Sequence, residues 1–279
     1  MTRRARRLTL LAGLALAALG VDAVVVEPRS LVVVYDAVRW AGPPMTVALI
    51  SDLHVGSPFN DLDRLSRLVE RANAEHPDLV LLLGDFGVTG VIGGSVVPAA
   101  DYAPILGALH APLGVRAVLG NHDWWDDAGG IGAAIEHAGV PVLENESERV
   151  DTNRGGFWLC AIGDWSTGHA DVERALRGVP DDGVPVLALT HNPDVFPDLP
   201  ARIGLLVAGH THGGQVNLPF ALAFASWLRN ARDTAGGPYG SGVYTRGAQT
   251  MVVTSGVGTS ILPVRFRATP EIRVLTLSR

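Results

Sequence analysis

Short apolar runs recur along the chain, at Val47–Ile50, Leu79–Leu83, Val115–Leu119, Phe157–Ile162, Val186–Leu189, Leu205–Ala208, Met251–Val253 and Ile272–Leu277. Runs of this length, rich in valine, leucine and isoleucine, predict buried strands. Between the first two, Leu62, Leu65, Leu68, Val69 and Ala72 repeat at helical spacing, with Asn60 or Asp61 placed to cap the helix. Weaker helical patterns lie at 131–138 and 171–177. Strands alternating with helices predict βαβ-like units, and the crowding of strands near the end predicts mixed pairing. The expectation is a layered α/β domain over residues 45–279. Ahead of it, "EPRSLVVVYDAVRW" reads as a short connecting strand and "AGPP" at 41–44 as a boundary. The Gly/Pro-rich intervals 87–98 and 235–242 read as surface loops, either of which could rim a site.

One stretch breaks this rhythm. Leu8–Val26 is almost wholly apolar, with no polar face, and follows Arg3, Arg4, Arg6 and Arg7. It has the length to span a bilayer as a helix. The readings are an uncleaved signal anchor, a cleaved signal peptide and a core helix. The flanking arginines favour the anchor, so residues 1–44 are read as anchor plus connector. Under the positive-inside rule those arginines leave the rest of the chain outside the cytoplasm. Peripheral attachment facing the cytoplasm is the alternative.

Composition narrows the partners. With 47% apolar and 18% charged residues, the chain can bury a substantial core. A formal net charge of −6 argues against nucleic acid, whose binding rests on neutralising phosphates. The single cysteine, Cys160, excludes an internal disulfide or a cysteine metal cluster, and its apolar setting reads as a buried, inert thiol.

Five apolar runs end in a polar signature. Val47–Ile50 leads to Asp52 and His54; Leu79–Leu83 to Gly84-Asp85; Val115–Leu119 to Asn121-His122-Asp123; Val186–Leu189 to His191; and Leu205–Ala208 to Gly209-His210-Thr211-His212. In open α/β sheets ligands bind beyond the carboxyl ends of the strands, which would bring these groups to one crevice. Imidazoles and carboxylates without thiolates suit Mn²⁺, Fe or Zn²⁺. The seven groups Asp52, Asp85, Asn121, His54, His191, His210 and His212 are too many for one ion but suffice for two that share a carboxylate. His210 and His212, being i and i+2, could lean the same way as the strand ends. His76, His110, His137 and His169 lie outside these contexts and read as surface or structural.

The five blocks, "SDLH", "LGD", "LGNHD", "THN" and "GHTH", resemble the calcineurin-like metallophosphoesterases, whose pattern is D-x-H, GD, GNH[DE], H and GH-x-H in that order. "GHTHGGQ" and the closing "TSGVGTSILPVRFRATPEIRVLTL" are similar to a bacterial membrane-associated subgroup, the YkuE/YaeI-like proteins. The resemblance implies a two-sheet α/β/β/α sandwich. It implies one divalent ion (Mn, Fe or Zn) held by Asp52, His54, Asp85 and His212. A second would be held by Asp85, Asn121, His191 and His210. It implies attack on phosphorus by a hydroxide bridging the two metals, with His122 assisting the leaving group and Asp123 orienting His122. Some members of the subgroup cleave the pyrophosphate of UDP-2,3-diacylglucosamine.

The substrate is less legible. Leu218, Phe220, Leu222, Phe224, Trp227 and Leu228 form an apolar stretch that reads as a rim receiving an acyl chain or touching a membrane. Arg246 and Arg265 are candidates for gripping a phosphate. With an anchor, these favour a lipid-linked or envelope phosphodiester or pyrophosphate. A broad phosphodiesterase or phosphomonoesterase on soluble nucleotides is the alternative, and a non-catalytic metal-binding scaffold is a third reading.

Overall fold

In this computed structural model the described residues are 2–217 and 239–279. One sheet runs in the order β1 (Val32–Arg39), β11 (Glu271–Ser278), β2 (Met45–Ile50), β3 (Leu79–Leu82), β4 (Val115–Ala117). The second runs β5 (Glu146–Thr152), β6 (Gly155–Ala161), β7 (Val186–Leu189), β8 (Ile203–Ala208), β10 (Gln249–Val253), β9 (Gly242–Arg246). Strands β2, β3 and β4 are parallel, as are β6, β7, β8 and β10; β5 and β9 close the second sheet as antiparallel edges.

Period-two alternation assigns each strand's two faces to two cores. Val47, Leu49, Leu79, Leu81, Leu187, Leu189, Leu205 and Val207 fill the layer between the sheets. Ala48, Ile50, Val80 and Leu82 point the other way, onto the helices α2 (Leu62–Ala74), α3 (Ala99–Leu106) and α5 (Ala128–His137). On the far side of the second sheet, Ala188, Ile203, Leu206 and Met251 pack beneath the short helix α6 (Val172–Ala175) and a 3₁₀ turn at Pro193–Asp198. Helix, sheet, sheet and helix layers make the α/β/β/α sandwich. Cys160 is fully buried in the outer core, and burial pushes its thiol up to about 11, so it is inert.

Asp61, not Asn60, caps α2: its side chain accepts the Arg64 N–H at 2.8 Å. Asn60 instead donates to the Leu53 carbonyl beside the site. The strand read as a connector ahead of residue 45 pairs in parallel with β11 over eight residues, as the edge of the first sheet.

Leu8–Val26 lies in helix α1 (Arg3–Val21) and its continuation, a π-turn at Asp22–Val26 and a 3₁₀ turn at Glu27–Arg29. No residue of α1 is buried, and Leu10 and Leu16 are 64% and 69% exposed. A core helix buries its apolar side chains, so that reading is excluded.

Candidate metal centre

The carboxyl ends of β2, β3, β4, β7 and β8 deliver their polar signatures to one place. Asp52, His54 and His212 form one group: His54 Nε2 and His212 Nε2 are 3.2 Å apart, and His212 Nε2 is 3.4 Å from Asp52 Oδ1. Asp85, His191 and His210 form another, joined by Asn121. Here His191 Nε2 lies 3.2 Å from Asp85 Oδ2, 3.2 Å from His210 Nδ1 and 3.0 Å from Asn121 Oδ1. Asp85 Oδ2 also sits 3.5 Å from His54 Nε2, so a single carboxylate oxygen faces both groups.

These atoms fit cations. The Nδ1 of His191 is 2.6 Å from the Leu83 carbonyl, a partner that takes the ring's proton and leaves Nε2 as a lone pair. That lone pair then faces a carboxylate oxygen and an amide oxygen, both acceptors. Only a proton or a cation between them reconciles such a cage. Asp52 Oδ1 in the first group is fully buried without a hydrogen-bond partner, which fits the same role.

The electrostatics leave His54 and His210 neutral, the form in which an imidazole ligates a metal. Burial pushes the Asp52 carboxyl up to about 6 and the His54 and His210 imidazoles down to about 3 and about 4. Burial also opposes charge on His191 and Asp85, but their mutual attraction outweighs it. His191 is held well above its ordinary value and Asp85 well below.

Local backbone strain aims the ligands. Asp52, His54, Asp85, His210 and His212 all have φ between 43° and 68°, the left-handed region that non-glycine residues rarely occupy. The strand ends therefore turn abruptly. His210 and His212 lean into the crevice through left-handed turns, not as i and i+2 of a continuing strand, and they enter different groups.

His122 opens helix α4 (Asn121–Trp125) at the mouth of the crevice. Its backbone N–H donates to Asp85 Oδ1 at 2.9 Å. Its ring meets those of His54 and Trp125 edge-on at 4.8 and 4.9 Å, and its Nε2 is 3.3 Å from Ser260 Oγ.

Three expectations are corrected. Asp123 does not orient His122. Its carboxylate accepts the backbone N–H groups of Gly120 and Asp85, each at 2.8 Å, and of Phe86 at 2.9 Å, so it braces the turn that carries Asp85. Burial and the nearby Asp85 push it up to about 7 against those bonds. Arg246 is committed elsewhere: its guanidinium binds the Pro197 and Leu199 carbonyls and Gln249 Oε1, and lies over Phe196. Arg265 is fully buried and donates to the carbonyls of Ser255, Gly258 and Ala268, with Nη2 3.3 Å from His212 Nδ1. It braces a metal-ligand loop and has no guanidinium face free for a phosphate. The apolar stretch Leu218–Leu228 lies outside the described residues.

Ser260 and Asp164 lie outside the five polar blocks. Asp164 follows β6 in "GD", the same strand-end pattern as Asp85, and it is fully buried with Oδ1 unpartnered. Its charge favours the protonated forms of His191 and His210. Gln215 closes "GHTHGGQ" and clamps the Ser260 loop, accepting the Ser260 N–H at 2.9 Å and donating to the Ser260 and Leu262 carbonyls.

Fold and site together define a phosphoester hydrolase built around two divalent metal ions. The chain belongs to the calcineurin-like phosphoesterase family, whose model matches residues 45–214. It is 31% identical to the Bacillus subtilis metallophosphoesterase YkuE, over 83% of this chain and 78% of that protein. It is 29% identical to the Escherichia coli phosphodiesterase YaeI, over 84% and 82%. It is 31% identical to a Danio rerio transmembrane protein with a metallophosphoesterase domain, over 84% of this chain; there the chain spans about half the relative's length, 53%.

Proposed function

We propose that the chain hydrolyses a phosphodiester or pyrophosphate bond of a lipid-linked substrate at a membrane. Asp52, His54, Asp85 and His212 would hold one cation and Asp85, Asn121, His191 and His210 the other. The observation that carries this reading is the pair of acceptor-lined groups sharing Asp85 Oδ2. When bound, the two ions supply Lewis acidity, which neutralises phosphate charge and makes water a competent nucleophile near neutral pH.

The chain's own residues do the rest. Asp85 Oδ1 takes the His122 N–H, which sets that imidazole beside the shared carboxylate. His122 stands at the mouth, where a leaving oxygen would depart, and it serves as proton donor or charge stabiliser there. Ser260 Oγ is close enough to fix the direction of its Nε2. Leu83 holds the His191 ring in the tautomer that points Nε2 inward.

The exposed apolar helix α1 and a relative named as a transmembrane protein support membrane attachment and, with it, the lipid-linked substrate. Asp85→Asn should abolish turnover of bis-p-nitrophenyl phosphate with Mn²⁺ added while the circular dichroism spectrum stays native. Undiminished turnover in that variant would sink the hydrolase assignment. A panel of UDP-diacylglucosamine, lipid phosphates and cyclic nucleotides separates the lipid reading from a soluble-nucleotide enzyme. Faster turnover of the cyclic nucleotides would decide for the latter.

A further inference from the structure

We infer that the crevice mouth is held against the bilayer by a rigid foot, and that Ile92, Ile261 and Leu262 form the lipid-contacting rim beside it. This rests on reading α1 as an anchor. The first support is how the anchor ends. The apolar span Leu8–Val26 rises about 28 Å at 1.5 Å per helical residue, close to the ~30 Å hydrocarbon thickness of a bilayer. The catalytic layers do not hang from it by a linker. The Arg265 N–H donates to the Ala23 carbonyl at 2.9 Å, three residues inside the apolar span. Directly below, the buried Glu27 carboxylate accepts the N–H groups of Arg267 and Ala268 at 2.8 and 2.6 Å and the Thr269 hydroxyl at 3.2 Å. Arg64 adds a bond to the Ser30 carbonyl at 2.8 Å, and Arg29 lies over the Phe59 ring at 4.2 Å. A helix gripped this way carries the 265–269 loop at its own depth, which is the depth of the lipid headgroups.

The second support is what lies between that foot and the catalytic crevice. Ser260 touches His122 and Arg265 touches Ala23. Five residues bridge at most about 18 Å of extended chain, so the crevice opens within that distance of the anchor. The intervening residues turn outward. Ile261 and Leu262 are 44% and 49% exposed, and Ile92, whose N–H donates to the Ile261 carbonyl at 2.9 Å, is 63% exposed. Ile261 also holds φ at 61°, a genuine outlier for a β-branched residue. Water gives no return for straining a backbone in order to expose isoleucine; a hydrocarbon surface does. Gln215, in the metal-ligand turn, clamps both ends of Ser260–Leu262, so the rim is fixed relative to the metal centre. Exposed Arg29 and Arg267 beside the foot suit anionic headgroups, which attract such cations.

The occupant of this rim is therefore the bilayer itself, and a scissile phosphate reaches the centre from the headgroup layer without leaving it. The test uses the full chain in vesicles of phosphatidylcholine and phosphatidylglycerol. A polarity-sensitive fluorophore is attached at Leu262→Cys or, separately, Ile92→Cys in a Cys160→Ala background, with Arg154→Cys on the exposed β5–β6 turn as control. Labels at 262 and 92 should shift to the blue and be quenched by shallow lipid spin labels, while the label at 154 is quenched only by aqueous iodide. If the protein floats with the vesicles but labels at 262 and 92 behave like that at 154, the rim contact is overturned and the anchor stands. If the protein fails to float, the anchor reading falls and this inference with it. Leu262→Glu should reduce the quenching of the Ile92→Cys label and leave hydrolysis of bis-p-nitrophenyl phosphate unchanged, a readout independent of membrane contact. An absence of that hydrolysis in the parent protein overturns only the proposed function.

Discussion

His210 and His212 stand one residue apart, yet they serve different ligand groups, and the backbone shows how. Both sit at positive φ immediately after β8, as do Asp52, His54 and Asp85 after their own strands. Each such residue costs on the order of 1–3 kcal/mol, which the surrounding layers must supply. Gly209 completes the arrangement, because a Cβ there would overlap Ser51 Oγ and press on Asp52. Gly209→Ala should therefore displace Asp52, and metal analysis of the purified variant should show loss of the ion proposed to sit with His54 and His212. His122 also lies within ligand distance of His54 and Asp85, but its Nε2 faces Ser260 Oγ at 3.3 Å; on the leaving-group role proposed for it, His122→Ala should keep both ions. Its kcat should fall about 10²–10⁴-fold, the range of a lost general acid, in steady-state assays of a substrate with a poor leaving group.

At the scale of elements, turns and termini carry what the strands cannot. Asp123 ties the start of α4 to the turn holding Asp85, through three backbone N–H groups. Asp123→Asn puts an amide NH₂ against at least one of those donors, and an orphaned buried donor costs about 1–3 kcal/mol. The variant should melt earlier and bind metal more weakly. Excess Mn²⁺ should restore its turnover, as it would not for a residue that takes part in proton transfer. Glu27 plays the same part at the foot of α1. Glu27→Ala should lower the denaturation midpoint and slow turnover of soluble substrate, since the 265–269 loop bears Arg265, which braces His212. Among the strands, hydrophobic pattern did not predict β5 and β9, and among the helices it did not predict α3. Both strands are sheet edges with much of their surface in water, so their sequences, "ESERVDT" and "GVYTR", lack a continuous apolar run.

For the molecule as a whole, each sheet's strands alternate between two of the three cores, and the candidate metal centre lies where the two sheets' strands end together. Burial also shifts a carboxyl outside the ligand groups. Glu144 is pushed up to about 7, first by burial and then by the charge of Asp164. The folded state then holds a proton on this group between its ordinary value of 4.5 and about 7, while the unfolded chain has released it. Stability consequently falls as pH rises through that window. Glu144→Gln should remove this dependence, so its denaturant midpoint should exceed the parent's at pH 8 and approach it at pH 5. An unchanged difference between those pH values would refute the assignment of the shift to Glu144.

Much of this was legible in the chain itself. Periodicity located the buried strands and α2, because a side chain's distance from water is set locally once one face is covered. The five polar blocks named the groups that converge, since parallel strands of a sheet must end together. Tertiary structure alone decided which oxygen of Asp85 faces both groups, that Asp123 braces a turn, and that Arg246 and Arg265 are already satisfied by carbonyls. It also decided that the strand before residue 45 belongs to the first sheet and that the apolar helix is locked to the catalytic crevice by Glu27. These are contacts between residues as far apart as 27 and 268, and no local pattern encodes a hydrogen bond whose partner is chosen by packing.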